Sequence, residues 1–265
     1  MRVLNLHYHD IARRDEYHLS GFQGADADLY KVEPEELRQH LRVMASVPGL
    51  NVRSDGTGSS PRFETIRLTF DDGGSGAWTA AEMLEQFGWR GYFFVVTDLI
   101  GTPEFLSESQ IAALHRRGHI IGSHSCSHPV HMWSLSAERL YAEWSDSVCR
   151  LSEIVQAPIT TASVPFGFYA RKVAVEAAKA GVRILFTSEP VTSSEVIDGC
   201  MVLGRFPLKD GVSPERVRSM VAGEALPRWG QYLWWNCKKP LKTVGGKAWL
   251  AARRRILAMG PRKAA

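Results

Sequence analysis

Short apolar runs alternate with longer amphipathic stretches along most of the chain. The apolar runs have the length of buried strands and lie at residues 2–8, 66–70, 91–96, 118–123, 160–164, 182–187 and 200–206. The amphipathic stretches have the apolar spacing of helices and lie near residues 34–46, 77–87, 107–117, 136–156, 169–180, 213–222 and 245–258. A strand followed by a helix, repeated about seven times, predicts an α/β fold with a parallel sheet, whose chemistry gathers at the carboxyl ends of the strands.

Local signals support the ends of several of these elements. Ser107 stands three residues before Gln110, which is the spacing of a capping box, and Pro158 closes the helix that opens near Ser136. Residues 51–65 show no periodicity and are rich in Gly and Ser. We therefore expect an exposed insertion there rather than a domain boundary.

Composition is that of an ordered globular chain. With 265 residues, of which 45% are hydrophobic and 23% charged, the chain can bury a large core. The four cysteines form no CxxC pair, which argues against a disulfide framework and against a cysteine zinc site. The first residues lack the pattern of a secretory signal, and no run of about 18 apolar residues indicates a spanning helix. These features predict a cytoplasmic chain.

Positive charge is concentrated at the carboxyl terminus. Residues 227–265 contain ten Lys or Arg and no acid, whereas residues 1–226 carry 22 basic and 28 acidic residues. The same segment holds four tryptophans, Trp229, Trp234, Trp235 and Trp249. We divide the chain into a main domain, 1–226, and a basic helical extension, 227–265. The extension either packs its tryptophans on the domain or makes peripheral contact with an anionic membrane, and a nucleic-acid partner is not expected.

Two adjacent carboxylates follow the second strand in "RLTFDDGGSG", residues 67–76. Successive side chains of a strand point to opposite faces, so Asp71 and Asp72 diverge. One of them can bind a metal while its neighbour lies beside the open position of that metal. An ordinary turn or helix cap, with Asp before Gly, is the alternative.

Two histidines follow a later strand in "GSHSCSHP", residues 122–129. The spacing of four lets the imidazoles of His124 and His128 reach one ion, and two histidines with one carboxylate suit Zn²⁺. The alternative is a pair of polar loop histidines. Cys126 lies between them and is interpreted as a small buried residue rather than a ligand.

A third stretch, "ASVPFGFY" at residues 162–169, again ends a strand. Pro165 and Gly167 would fix a turn that leaves a backbone N–H exposed to a negatively charged oxygen. Phe166 and Tyr169 can form the wall of a pocket.

Together and in this order, the three stretches resemble the polysaccharide deacetylase family, the NodB-homology group of carbohydrate esterases. Its T-F-D-D-G motif matches residues 69–73, its H-[ST]-x-x-H motif matches residues 124–128, and its P-[YF]-G motif matches residues 165–167. The stretch "HYHDI" at 7–11 resembles the "YHDI"-like strand with which one subgroup of the family opens. The resemblance covers about residues 1–210 and implies a distorted (β/α)7-type barrel.

The resemblance also implies a function. Asp72, His124 and His128 would bind a divalent metal, with zinc expected, while Asp71 would be the general base and the N–H of Phe166 would hold the oxyanion. The expected enzyme is a metal-dependent carbohydrate N-deacetylase acting on a glycan, lipid-linked glycan or sugar nucleotide in exopolysaccharide, capsule or glycolipid biosynthesis, with N-formyl as a variant. The alternatives are a catalytically weak glycan- or metal-binding relative and a membrane-associated protein acting through its basic tail.

Two family features are missing. The arginine that often orients the base is absent from residues 162–164, and Arg171 and Arg205 are candidates to replace it. The late L-x-H motif, whose histidine protonates the leaving amine, is replaced by "VLGRF" at 202–206. We predict His9 as the substitute acid, with His7 on the same face of the first strand. The alternative is that His9 is a structural hydrogen-bonding residue under the site.

Overall fold

The structure is a computed structural model that describes residues 3–50, 52, 65–167, 169–224, 226–228, 230–233 and 236. Its strands are β1 (Val3–Tyr8), β2 (Asp10–Ile11), β3 (Lys31–Val32), β4 (Thr65–Phe70), β5 (Tyr92–Val95), β6 (Ile120–Ser123), β7 (Thr161–Ser163), β8 (Ile184–Phe186), β9 (Ser194–Ile197), β10 (Cys200–Leu203) and β11 (Phe206–Pro207). Its helices are α1 (Ala25–Asp28), α2 (Pro34–Ala45), α3 (Gly76–Gln86), α4 (Glu108–Arg116), α5 (Ala137–Val155), α6 (Arg171–Lys179) and α7 (Pro214–Val221).

Nine strands form one curled sheet in the order β11-β1-β4-β5-β6-β7-β8-β10-β9. All neighbours in it are parallel except β9 and β10. Only Gly204 and Arg205 separate β10, which pairs with β8, from β11, which pairs with β1. This single bent segment connects the two ends of the parallel series, and the predicted distorted (β/α)7-type fold is confirmed.

The bend between β10 and β11 requires glycine. A Cβ on Gly204 would lie 2.4 Å from the carbonyl oxygen of Glu189, well inside van der Waals contact. Strands β1 and β4, at the centre of this side of the sheet, are buried on both faces, as expected for parallel strands covered by helices. The main core cluster contains Leu6, Leu68 and Phe93 and continues into the helices on the outside of the sheet.

The predicted capping box of Ser107 and Gln110 is present at the start of α4. Helix α5 begins after its predicted cap Ser136 and ends at Gln156, whose φ of 55° is left-handed, before Pro158 is reached. The sequence did not predict β2, β3, α1 and β9, because these short elements contain no continuous apolar run of the kind that marks β5, β6 and β8. Most of the expected insertion at 51–65 and the expected helix at 245–258 lie outside the described residues.

Candidate active site

The three motifs meet at the carboxyl ends of neighbouring strands. Asp71 and Asp72 follow β4, His124 follows β6, and Pro165 lies two residues after β7. His9 stands just beyond the end of β1, which pairs with β4. Parallel strands end at the same edge of a sheet, so this arrangement brings side chains that are far apart in the sequence to one place.

Asp72, His124 and His128 form a compact triad. Asp72 Oδ1 lies 3.3 Å from His124 Nε2 and 3.4 Å from His128 Nε2, and one potential ligand atom of each residue lies within 4.8 Å of the others. A tetrahedral zinc ion with ligands at about 2.0–2.1 Å holds them about 3.4 Å apart. The triad therefore fits a divalent ion of this kind.

Local backbone geometry and protonation support the triad. Asp72 and His128 have φ values of 73° and 54°, a region that non-glycine residues rarely occupy and that clusters at functional sites. His124 Nδ1 lies 3.0 Å from the carbonyl oxygen of Ser163, which can only accept, so Nδ1 carries the hydrogen and Nε2 is left to bind an ion. Burial opposes ionisation of Asp72, but the adjacent imidazoles of His124, His9 and His128 lower its pKa to about 2.

Asp71 is a buried carboxylate held by an arginine. Arg205 donates from Nη1 to Oδ1 at 2.6 Å and from Nη2 to Oδ2 at 2.7 Å. Ser163 Oγ donates to Oδ1 at 3.2 Å, and His7 Nε2 lies 2.9 Å from Oδ2. Burial alone would raise the pKa of Asp71, but the charge of Arg205 and the neighbouring histidines hold it well below its usual range. Asp71 is therefore an ionised carboxylate with a fixed orientation, as a general base requires.

Arg205 replaces the arginine that is absent from residues 162–164. Its side chain is fully buried, and Nε donates to the carbonyl oxygen of Thr187 at 3.0 Å. The other candidate, Arg171, instead pairs with Glu195 at 2.7 Å on the surface. Arg205 also stands where the late histidine of the family pattern is expected, so this position supplies a cation for Asp71 rather than an acid for the substrate.

His9 contacts His7, which in turn contacts Asp71. The ring centroids of His7 and His9 are 4.3 Å apart, and that of Tyr30 is 4.4 Å from His9. Although His7, His9 and Asp71 offer three potential metal ligands, Arg205 already binds both oxygens of Asp71, and a second cation there would be repelled. Burial, followed by the neighbouring His7, lowers the pKa of His9 to about 3. His9 is therefore neutral in the resting site, and its role stays a prediction.

The third motif forms a tight turn beside the triad. Pro165 and Gly167 are buried, whereas Phe166 is 45% exposed and has a φ of 55°. The ring centroid of Phe166 lies 4.7 Å from that of His128. Tyr169 packs against the hydrophobic cluster that includes Met132. Phe166 thus lies against one histidine of the triad, whereas no ring contact joins Tyr169 to the triad within the described part of the chain, and the pocket wall stays a prediction.

The sequence did not identify Phe22. Its ring stacks on His128 at 4.6 Å and meets Phe105 edge-on at 5.3 Å. Phe22 belongs to the segment between β2 and β3, where polar residues and glycines surround it. A lone aromatic residue in such a stretch gives no periodic signal. The ring adds a second aromatic contact to His128, beside that of Phe166.

Comparison with known proteins agrees with this geometry. Residues 58–185, which include all three motifs, match the family model described as polysaccharide deacetylase. The resemblance to this family, predicted from the motifs, is confirmed. A curated relative, gellan lyase from a Bacillus species, is 32% identical over 110 residues, which are 41% of this chain and only 4% of that protein.

Solved structures share the fold. The deacetylase PplD of Streptococcus pyogenes, in complex with acetate, has a TM-score of 0.69 at 20% identity, covering 85% of this chain and 99% of that one. A polysaccharide deacetylase from Bacillus cereus has a TM-score of 0.69 at 19% identity, covering 83% and 69%. A de-N-acetylase from Aggregatibacter actinomycetemcomitans has a TM-score of 0.64 at 16% identity, covering 78% and 94%.

Proposed function

The chain has the fold and the three motifs of polysaccharide deacetylases, and from this premise we propose that it is a metal-dependent carbohydrate N-deacetylase. The observation that carries the proposal is the pairing of two adjacent aspartates with different partners. Asp72 meets two imidazoles at the spacing of metal ligands, while Asp71 meets a buried guanidinium and stays ionised. A hydrolase that activates water requires such a separation of roles.

Asp72, His124 and His128 would hold the ion, and zinc suits their two nitrogen and one carboxylate ligands. When bound, a divalent ion supplies Lewis-acid chemistry: it acidifies water and polarises the carbonyl of the N-acyl group. That contribution matters here because Asp71, with its depressed pKa, is a weak base and can take a proton only from an acidified donor. Elemental analysis of the purified protein identifies the metal that it carries.

Asp71 orients the attack. Arg205 and Ser163 fix the plane of its carboxylate, so it accepts the proton of the water that adds to the N-acyl carbon. The backbone N–H of Phe166 is proposed to donate to the oxygen on which negative charge develops. The C–N bond then breaks, the amine takes a proton, and acetate and an amino sugar are released.

His9 is proposed to supply the proton to the leaving amine. Its pKa of about 3 leaves it neutral at rest, so it must take up the proton that Asp71 has accepted from water and then pass a proton to the nitrogen of the breaking C–N bond. We expect His9→Gln to lower kcat by about 10²-fold, the lower range for general acid catalysis, while metal content stays unchanged. His18→Gln, at an exposed position of the same terminal region, is the control.

Steady-state kinetics of both variants test this role. A His9→Gln protein that folds, binds metal and retains the full rate would exclude His9 as the acid. If it instead unfolds at a lower temperature with an unchanged rate per folded molecule, His9 is a structural residue under the site.

The proposed substrate is an N-acetylated amino sugar within a glycan, a lipid-linked glycan or a sugar nucleotide, with N-formyl as a variant. Zinc-loaded protein should be incubated with one member of each class, and released acetate or formate measured. Release from at least one class supports the proposal. Binding of glycan without release of either acid, at full metal occupancy, would favour a catalytically weak relative.

We also propose that residues 227–265 bring the enzyme to the inner face of an anionic membrane. The support is their ten cations without an acid, and the exposure of Leu226, Tyr232 and Leu233 at the start of the segment. No helix in the described part of the chain is long and apolar enough to cross a bilayer. The domain boundary at residue 226 and the cytoplasmic location are part of this proposal.

Charge reversal in the tail tests membrane contact. Each basic residue near an anionic surface contributes about 1 kcal/mol, so Arg253→Glu/Arg254→Glu/Arg255→Glu should weaken pelleting with phosphatidylserine vesicles at low salt at least tenfold. Reversal of the exposed Arg13, Arg42 and Arg116 of the domain gives a control with the same change in charge. Equal pelleting of the tail variant and the unmodified protein would contradict the proposal.

A further inference from the structure

Both histidine ligands belong to one short loop with a costly backbone. Within residues 124–128, Ser125 and His128 have φ values of 65° and 54°. Each non-glycine residue in this region costs of order 1 kcal/mol and persists only where surrounding contacts enforce it. The separation of the two imidazoles therefore depends on whatever fixes this loop.

Glu143 of helix α5 makes those contacts. Its Oε2 accepts the backbone N–H of Cys126 at 3.0 Å and that of Ser127 at 2.9 Å, while its Oε1 accepts the hydroxyl of Ser127 at 2.6 Å. The side chain is buried. Its nearest cation is the exposed Arg139, at 3.9 Å. A buried carboxylate without such hydrogen bonds would be strongly unfavourable, so these three bonds account for its presence.

A second tie joins the same helix to the loop. The hydroxyls of Ser123 and Ser147 lie 2.7 Å apart, and Ser123 Oγ accepts the N–H of Ser125 at 3.1 Å. Trp144, next to Glu143 in the sequence, is fully buried and anchors α5 in the core. The helix is thus a rigid support, and Glu143 is its most direct connection to the residues between the two ligands.

We propose that Glu143 is a positioning residue that holds His124 and His128 at the separation a metal ion requires. It contacts neither ligand side chain, and it acts through the backbone of the loop between them. The inference rests on the metal site of the proposed function, but it concerns the zinc affinity of that site and the order of the loop rather than hydrolysis.

Zinc affinity, measured by competition with a chromophoric chelator, is the first test. Loss of a residue that orients metal ligands typically costs 10–100-fold in affinity. We expect about 100-fold for Glu143→Ala and about 10-fold for Glu143→Gln, which retains one acceptor oxygen. Glu153→Gln, at an exposed position of the same helix, should change affinity less than twofold. Because saturating zinc restores the ligand geometry, kcat of Glu143→Gln should recover at high zinc.

Amide hydrogen exchange of the metal-free protein is the second test, and it requires neither metal nor activity. The amides of Cys126 and Ser127 should exchange at least tenfold faster in Glu143→Gln than in the unmodified protein, while those of α5 stay protected. Unchanged exchange together with unchanged zinc affinity would overturn the proposal. If Glu143→Ala does not fold, both measurements are made on Glu143→Gln alone. Tight zinc binding without hydrolysis of any sugar would contradict the proposed function and leave the role of Glu143 intact.

Discussion

Replacement of Asp71 by Asn is expected to lower the deacetylation rate about a thousandfold while the protein retains its metal. General base catalysis contributes about 10²–10⁴-fold, and the amide of Asn cannot accept the proton that the carboxylate accepts. Asp72, His124 and His128 are unchanged in this variant. Released acetate and metal content, measured on the same preparation, separate the two effects.

The same substitution leaves the charge of Arg205 without its counterion. Breaking one side of a buried ion pair costs about 3–5 kcal/mol, although the Asn oxygen still accepts a hydrogen bond from the guanidinium. The assay is therefore made at a temperature at which circular dichroism shows the variant to be folded. Asp15→Asn, at an exposed position, is the control. Full activity in folded, metal-loaded Asp71→Asn would exclude Asp71 as the base.

Replacement of Arg205 by Met should both destabilise the protein and shift its pH profile. The pKa of Asp71 is held down chiefly by Arg205, working against burial. A depressed carboxyl pKa stabilises the fold above the unfolded value near 4 and loses this contribution as pH falls through the folded value. Without Arg205, burial is opposed only by the neighbouring histidines and the pKa of Asp71 rises, so the acid limb of activity moves to higher pH.

Urea unfolding and pH–rate profiles measure the two consequences. We expect Arg205→Met to lose about 3–5 kcal/mol at pH 7, with the deficit shrinking as pH falls below the raised pKa that Asp71 has in the variant. The stability and the acid limb of Arg205→Lys should lie between those of Arg205→Met and the unmodified protein, because an ammonium cannot bind both carboxylate oxygens in a fork. Arg171→Met, which breaks a surface pair, should cost under about 1 kcal/mol. An unchanged acid limb in Arg205→Met would show that Arg205 does not control Asp71.

The sequence predicted the part of the site that local pattern determines. The sequence predicted that Asp71 and Asp72 diverge, although the structure separates them by the left-handed backbone of Asp72 after β4 rather than by strand alternation. The spacing of four placed His124 and His128 together. Six predicted helices and the parallel strands agree with the structure to within a few residues. These features depend on period and spacing within one short segment, which a single sequence displays.

The partners of these residues could not be predicted with the same certainty. Arg205 lies 134 positions from Asp71, so it was one of two candidates until the bend after β10 placed it beside the base. Glu143 interrupts the apolar face of an amphipathic helix, where an acid resembles a solvated residue. Phe22 lies between β2 and β3, which have two residues each and show no period from which its position could be predicted. In each case a long-range contact determines the role.

The most direct measurement is a zinc titration of metal-free protein with acetate release followed at each step. If Asp72, His124 and His128 form the catalytic metal site, release rises in proportion to zinc and stops rising at one equivalent per chain. Asp72→Ala then shows no such rise at these concentrations. Equal acetate release from the metal-free and the zinc-loaded protein would contradict the account.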